Sequence, residues 1–256
     1  MKKPKAGIFG LTGCAGDQLV ILNCEDEILD IVDALDIRDF LLASSVNDSD
    51  CELDIALVEG AVLSERNEEQ LRCIRARSRV LVAIGTCAVW GGIAAIDSDT
   101  DREQFLLGIY GSVGKELDAT PARALHEVVE VDLNISGCPI EKEEFLSAIS
   151  NLVNDDLPLL PKYAVCAECK MRENNCLLLE RGDVCLGPLT LGGCNARCPA
   201  LRIACVGCRG PVDDTNVKSA LAVFEEKGVT RGEIARKLRT FARVQVPPPA
   251  RWRDVS

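Results

Sequence analysis

The chain has 256 residues, a formal charge of −11, fourteen cysteines and 47% apolar residues. The apolar share excludes a disordered chain. The acidic balance argues against nucleic acid or an anionic membrane surface as the main partner, and no run reaches the roughly 18 apolar residues that a membrane span needs. The N-terminal lysines precede too short an apolar run for a signal peptide, and no twin arginine appears, so the expected compartment is the cytoplasm. In a reducing compartment fourteen cysteines point to metal or iron–sulfur ligation rather than disulfides.

Along the chain, KAGIFGL (5–11) reads as a strand ending in a glycine loop. Residues 17–35 place Leu, Val and Ile at helical spacing with acids between them, and predict one helix. ELDIALVEGAV (52–62) predicts a buried strand closed by Gly60, EEQLRCIRARS (68–78) a helix, and RVLVAIGTC (79–87) another continuous apolar strand. HEVVEVDLNISGCP (126–139) reads as a strand running into a loop, and EKEEFLSAISNLV (141–153) as the next helix. Apolar strands alternating with helices imply an α/β fold whose parallel sheet is covered on both faces. In such sheets ligands bind at the carboxyl ends of the strands. Cys14, Cys87 and Cys138 each follow a strand, so the three are expected to converge on one sheet edge.

Prolines in NDDLPLLPKY (154–163) break the helical pattern and mark a boundary. The expected division is 1–158, 159–215 and 216–256. Residues 162–215 are rich in Cys and Gly, with little periodicity and too little apolar area to fold alone, a lack that metal clusters would supply. VKSALAVFEEKG (217–228) and TRGEIARKLRTFA (230–242) predict two helices, and VQVPPPARWRDVS (244–256) an extended tail.

Eight cysteines form two blocks. Cys166, Cys169, Cys176 and Cys185 are spaced C-x2-C-x6-C-x8-C; Cys194, Cys198, Cys205 and Cys208 are spaced C-x3-C-x6-C-x2-C. Each block supplies four thiolates, the number a [4Fe–4S] cluster takes, and Pro199 after Cys198 echoes the Cys-Pro that closes ferredoxin motifs. Gly187, Gly192, Gly193 and Gly207 let the backbone fold close. Two four-cysteine zinc sites would use the same residues, although zinc ribbons pair two C-x-x-C turns and neither block holds two. The glycines Gly7, Gly10, Gly13 and Gly16 match neither a dinucleotide fingerprint nor a phosphate loop.

Five stretches, GLTGCAGDQ, DIALVEGAV, AIGTCAVWGG, SGCPI and CLGPLTLGGCNARCPALRIACVGCRGP, follow one another over residues 10–211. In order and spacing the chain resembles the small, electron-transferring subunit of [NiFe] hydrogenases. The resemblance is to the cytoplasmic branch of methyl-viologen-, deazaflavin- and NAD(P)-reducing (sulfhydrogenase-type) enzymes. The iron–sulfur subunit of respiratory complex I is a more distant relative. The resemblance implies a flavodoxin-like domain that holds a proximal [4Fe–4S] cluster through Cys14, Cys87 and Cys138, with Asp17 in the fourth slot. It implies a distal [4Fe–4S] cluster on Cys166, Cys169, Cys176 and Cys185, and a medial one on Cys194, Cys198, Cys205 and Cys208. It also implies no catalytic residue on this chain, a nickel–iron centre on a large-subunit partner, and an electron-acceptor module. That module would be a diaphorase pair, a deazaflavin subunit, a heterodisulfide-reductase-type partner or a bifurcating unit. The competing readings are a stand-alone ferredoxin-like carrier, a subunit of a complex-I-related oxidoreductase and a structural zinc protein.

Asp17 has two readings. Asp favours helix starts and QLVIL follows at once; by resemblance it occupies the place of the second proximal cysteine, where some deazaflavin-reducing relatives carry a ligating Asp. Glu59 matches a family Glu near the proximal cluster, and reads equally as a buried strand-end carboxylate. Cys24 lies roughly 10 Å beyond Asp17 along a continuous helix, and with Cys51 and Cys73 it reads as an ordinary thiol. His126 reads as a surface or partly buried residue.

Overall fold

The apolar runs become the inner strands of a single parallel sheet in the computed structural model, which describes residues 3–96, 101–213 and 215–242. Strand β1 (Lys5–Gly10) pairs with β3 (Leu53–Glu59), from Ala6 opposite Ile55 to Gly10 opposite Glu59. Strand β4 (Ser78–Ile84) continues the sheet on the far side of β3, and β5 (Leu133–Ile135) pairs with β4. The fifth strand, β2 (Asp36–Asp39), adds to the free side of β1, so the strand order is β2-β1-β3-β4-β5. This is the doubly wound order expected of a flavodoxin-like domain.

The single helix expected over 17–35 is two helices, α1 (Gly16–Leu22) and α2 (Ile28–Ala34). The reason lies in the length of the return path. A straight helix of that span would run about 28 Å, whereas β1 rises only about 20 Å, and β2 must start with Asp36 opposite Lys5. A turn at Asn23–Glu27 takes up the excess and lets Ile21, Cys24, Ile31 and Leu35 all bury on one sheet face. The edge strand β2, DIRD, has no apolar run and was invisible to hydrophobic patterning. The strand expected from residue 126 shrinks to β5, because Leu125–Glu127 form a 3-10 turn.

Helix α3 (Glu65–Ala76) starts from Ser64, whose hydroxyl accepts the Asn67 amide, and buries Leu71 and Ile74 on the other sheet face. Helix α4 (Gly85–Trp90) begins directly off β4, and α5 (Arg102–Tyr110) is an additional helix with no buried residue. Helix α6 (Lys142–Val153) returns to the first face through Phe145, Ala148, Ile149 and Leu152.

The cysteine-rich segment holds three short helices: α7 (Val165–Met171), α8 (Leu177–Arg181) and α9 (Arg197–Ala200). Its own apolar nucleus is small, Val165 and Ala196 with Cys205. Helices α10 (Val217–Glu226) and α11 (Arg231–Arg239) match the expected C-terminal pair and pack Leu221, Phe224, Ile234 and Leu238 onto Leu178, Val184, Leu186 and Leu189. The tail expected over 244–256 lies outside the described residues. Among the described residues no helix is long and apolar enough to cross a membrane.

Candidate iron–sulfur sites

The sheet brings the three early cysteines to its carboxyl edge. Cys14 stands in the loop between β1 and α1, Cys87 in the first turn of α4, and Cys138 in the loop after β5. Burial and then the nearby Cys87, Asp17, Cys208 and Cys14 push the Cys138 thiol up to about 11. The Cys87 thiol is also raised, by burial first, with Asp17, Cys14 and Glu59 acting in the same direction. Cys14, Asp17, Cys87 and Cys138 are therefore within electrostatic reach of one another, with Glu59 and Cys208 alongside.

Asp17 joins that set and does not cap its helix. The helix start is Ala15, in the left-handed region at φ 60°, and no side chain caps it. The buried Asp17 carboxylate instead reaches across the sheet edge, where Oδ1 accepts the Ile140 amide at 2.8 Å. Oδ2 has no hydrogen-bond partner among the described residues. Burial is the main cause that raises this carboxyl to about 7, with the Ile140 amide opposing and Glu59 adding. Room for it comes from Gly85, at φ +82°, where a Cβ would fall 1.8 Å from Oδ2. Glu59 serves the helix instead. Its Oε2 accepts the amide and the side-chain Nε2 of Gln18 at 3.2 and 3.0 Å, holding the first turn of α1 against β3.

The first cysteine block wraps α7 and α8. Cys166 and Cys169 lie on α7, Cys176 immediately precedes α8, and Cys185 follows it. Burial raises the Cys166 thiol to about 11, and Cys185, Cys169 and Cys176 act on it next. In the second block Cys194 precedes α9, Cys198 lies within it, and Cys205 and Cys208 follow. The Cys208 thiol is raised by burial and then by Cys194 and Cys198. The Cys205 thiol, the most buried, is pushed to about 12 by burial.

Two contacts join the three sets in a row. The Cys138 backbone lies beside the Cys208 thiol and opposes the rise that burial imposes on it, and the Cys205 amide donates to Cys185 Sγ at 3.3 Å. The second block therefore stands between the sheet-edge set and the first block, in reverse of what chain order suggests. Side chains that sequence reading did not single out hold this arrangement. Thr86 Oγ1 donates to the Cys208 carbonyl at 2.5 Å and Ser136 Oγ to the Arg209 carbonyl at 2.6 Å. Glu168, buried on α7 between Cys166 and Cys169, accepts the amides of Gly193 (2.6 Å) and Ala196 (3.0 Å), on either side of Cys194. The one available signal was position: each of these lies within two residues of a cysteine already singled out.

The donor sets suit iron–sulfur groups. They are soft thiols gathered in sets, and where burial raises a thiol, as at Cys87, Cys138, Cys166, Cys185, Cys194, Cys205 and Cys208, cationic iron is the charge that would ionise it. Among the described residues no three His, Cys, Asp or Glu close on one ion, whereas the four thiolates of a cluster each hold a different iron. The remaining thiols are elsewhere. Cys24 is in the sheet-face core, its Sγ donating to the Val20 carbonyl at 3.3 Å. Cys51 is half-buried before β3, Cys73 is exposed on α3, and His126 is exposed.

Comparison with known proteins follows the same lines. The family of the NADH ubiquinone oxidoreductase 20 Kd subunit matches residues 14–152. The chain is 39% identical over 239 residues to sulfhydrogenase 2 subunit delta of Pyrococcus furiosus, covering 93% of this chain and 99% of the relative. It is 29% identical to a vhu subunit of the F420-non-reducing hydrogenase of Methanocaldococcus jannaschii, over 95% of each chain. The fold superposes on a chain of the actinobacterial-type NiFe-hydrogenase from Ralstonia eutropha H16 with a TM-score of 0.63, covering 93% of this chain and 89% of that one at 16% identity, a likeness of fold. With its α/β sheet, its cysteine-bearing strand ends and these relatives, the chain belongs to the NADH ubiquinone oxidoreductase 20 kDa subunit family and, within it, to the sulfhydrogenase-type small subunits of [NiFe] hydrogenases, components of oxidoreductases acting on H2.

Proposed function

We propose that this chain conducts electrons between a nickel–iron centre on a large-subunit partner and an acceptor module, through three [4Fe–4S] clusters. The observation that carries the reading is the row of cysteine sets joined by the Cys138–Cys208 and Cys205–Cys185 contacts. Cys14, Asp17, Cys87 and Cys138 hold the proximal group, Cys194, Cys198, Cys205 and Cys208 the medial one, and Cys166, Cys169, Cys176 and Cys185 the distal one. Bound clusters supply one-electron carriers. The chain's own residues space the carriers and keep every cysteine of the middle set at least half-buried, and the exposed Cys14 and Cys138 support the sheet edge as the side facing the large subunit. Cys176, exposed at the other end of the row, marks the side facing the acceptor.

The proposed division is 1–158 for the proximal domain, 159–215 for the two further clusters and 216–256 for the C-terminal helices and tail, in a cytoplasmic complex. The acceptor class stays among the diaphorase, deazaflavin, heterodisulfide-reductase-type and bifurcating partners. The test is the iron and acid-labile sulfide of the anaerobically purified complex. Beyond the iron of the nickel–iron centre and that of the acceptor module, about twelve irons per chain are expected, four for each of three clusters. About eight irons, unchanged on Cys138→Ala, would remove the proximal cluster; zinc in place of iron would remove the reading altogether.

A further inference from the structure

Arg209 heads the completely buried side chains by volume, with 1% of its surface exposed. A guanidinium keeps its charge at any physiological pH, and burying that charge costs several kcal/mol unless partners surround it. Its partners are specific. Nη2 donates to both oxygens of Glu144 on α6, each at 2.8 Å, and Nε donates to the Gly192 carbonyl at 2.7 Å. Nη1 is buried as well and has no partner among the described residues.

The location narrows what Nη1 serves. The Arg209 backbone directly follows Cys208 and is tied to the sheet domain by Ser136. The guanidinium lies against the residues that precede Cys194: a Cβ on Gly193 would fall 2.5 Å from Nη2. The charge is thus bracketed by the first and last cysteines of the medial set. Burial pushes the thiols of Cys194 and Cys208 up, and Arg209 is among the groups that oppose it in both. A staple between domains would need the Glu144 and Gly192 bonds alone; it gives no reason for a second, unsatisfied amino group in a buried place.

We infer that Arg209 and Glu144 form a charge-setting pair for the medial cluster: Arg209 raises its reduction potential and offers Nη1 to the cluster's sulfur, while Glu144 positions the guanidinium and tempers its charge. The inference rests on the assignment of Cys194, Cys198, Cys205 and Cys208 to one cluster. Reduction adds one electron, and a fixed positive charge in a low-dielectric site favours the more negative state. Hydrogen bonds to cluster sulfur shift the potential in the same direction. Both residues are positioning residues and neither takes up the electron.

The experiment is a dithionite titration of the anaerobically purified complex, followed by electron paramagnetic resonance, with iron content measured on each sample. Arg209→Gln is expected to shift the medial potential down, Glu144→Gln to shift it up, and Arg209→Lys to shift it down by less than Arg209→Gln. The distal potential should stay put. Shifts of opposite sign from two partners of one ion pair are what charge predicts and what loosened packing does not. Unchanged medial potentials in Glu144→Gln and Arg209→Lys, with iron intact, would overturn the inference and leave the three-cluster reading standing. If Arg209→Gln loses iron, those two variants decide alone. Wild-type complex without a medial signal, and with iron short by one cluster, would overturn the cluster assignment and the inference with it.

Discussion

Asp17 shows how much one side chain carries at the sheet edge. It accepts the Ile140 amide through Oδ1 and leaves Oδ2 free beside Gly85. Asp17→Ala should cost about 1–3 kcal/mol, since it strands a buried amide donor, and should also lower the proximal iron content. Asp17→Cys should keep the iron, with denaturant unfolding and iron assay as the two readouts; full iron in Asp17→Ala would take Asp17 out of the ligand set. Gly85→Ala tests the same corner from the other side. Its φ of +82° and the 1.8 Å approach to Oδ2 leave no room for a methyl group. Strain of roughly 1–3 kcal/mol is expected, seen as a lower unfolding midpoint, and an unchanged midpoint would show that the corner relaxes freely.

Among the elements, α7 depends most on one buried charge. Glu168 turns α7 toward the Cys194 loop by taking two of its amides. Glu168→Ala leaves both donors without an acceptor, at about 1–3 kcal/mol for each, and Glu168→Gln, which keeps an oxygen there, should lose less. Equal stability of the two variants in chemical denaturation would mean that water replaces the carboxylate. Elements also show where sequence patterning stops. The strands β1, β3 and β4 were legible because both faces are buried and the runs are continuously apolar. The break between α1 and α2 was not, because helical periodicity persists across it and the length of β1 decides it. Strand β2 was not either, since an edge strand needs no apolar run.

The whole molecule divides by what holds it together. The two faces of the sheet carry extensive apolar clusters, while the segment from Val165 to Cys208 has an internal nucleus of three buried residues and otherwise buries Leu178, Val184, Leu186 and Leu189 against α10 and α11. Iron removal with a chelator under reducing conditions should therefore open amide exchange across residues 165–208 and loosen α10 and α11, which pack on Leu178–Leu189. Strands β1, β3 and β4 should keep their protection. Hydrogen exchange with mass spectrometry reads both regions at once; loss of protection throughout would mean that the clusters hold the sheet domain too.

By itself the sequence determined the α/β class, the placement of Cys14, Cys87 and Cys138 at strand ends, and the two four-cysteine blocks. Those features rest on local physics: apolar continuity along a strand, and spacings short enough for one turn of backbone to present. The family resemblance implied the order of the cysteine sets in space; the tertiary structure supplies its physical basis, the Cys138–Cys208 and Cys205–Cys185 contacts between residues distant in sequence. It alone decided the roles of Glu168, Glu144 and Arg209. Charged residues near cysteines read as solvated surface until the fold buries them, and burial is a property of the surroundings that no local pattern encodes. Asp17 belongs to both accounts: its position was visible in the sequence, but the direction of its carboxylate, away from the helix start and toward Ile140, was set by the loop that follows β5.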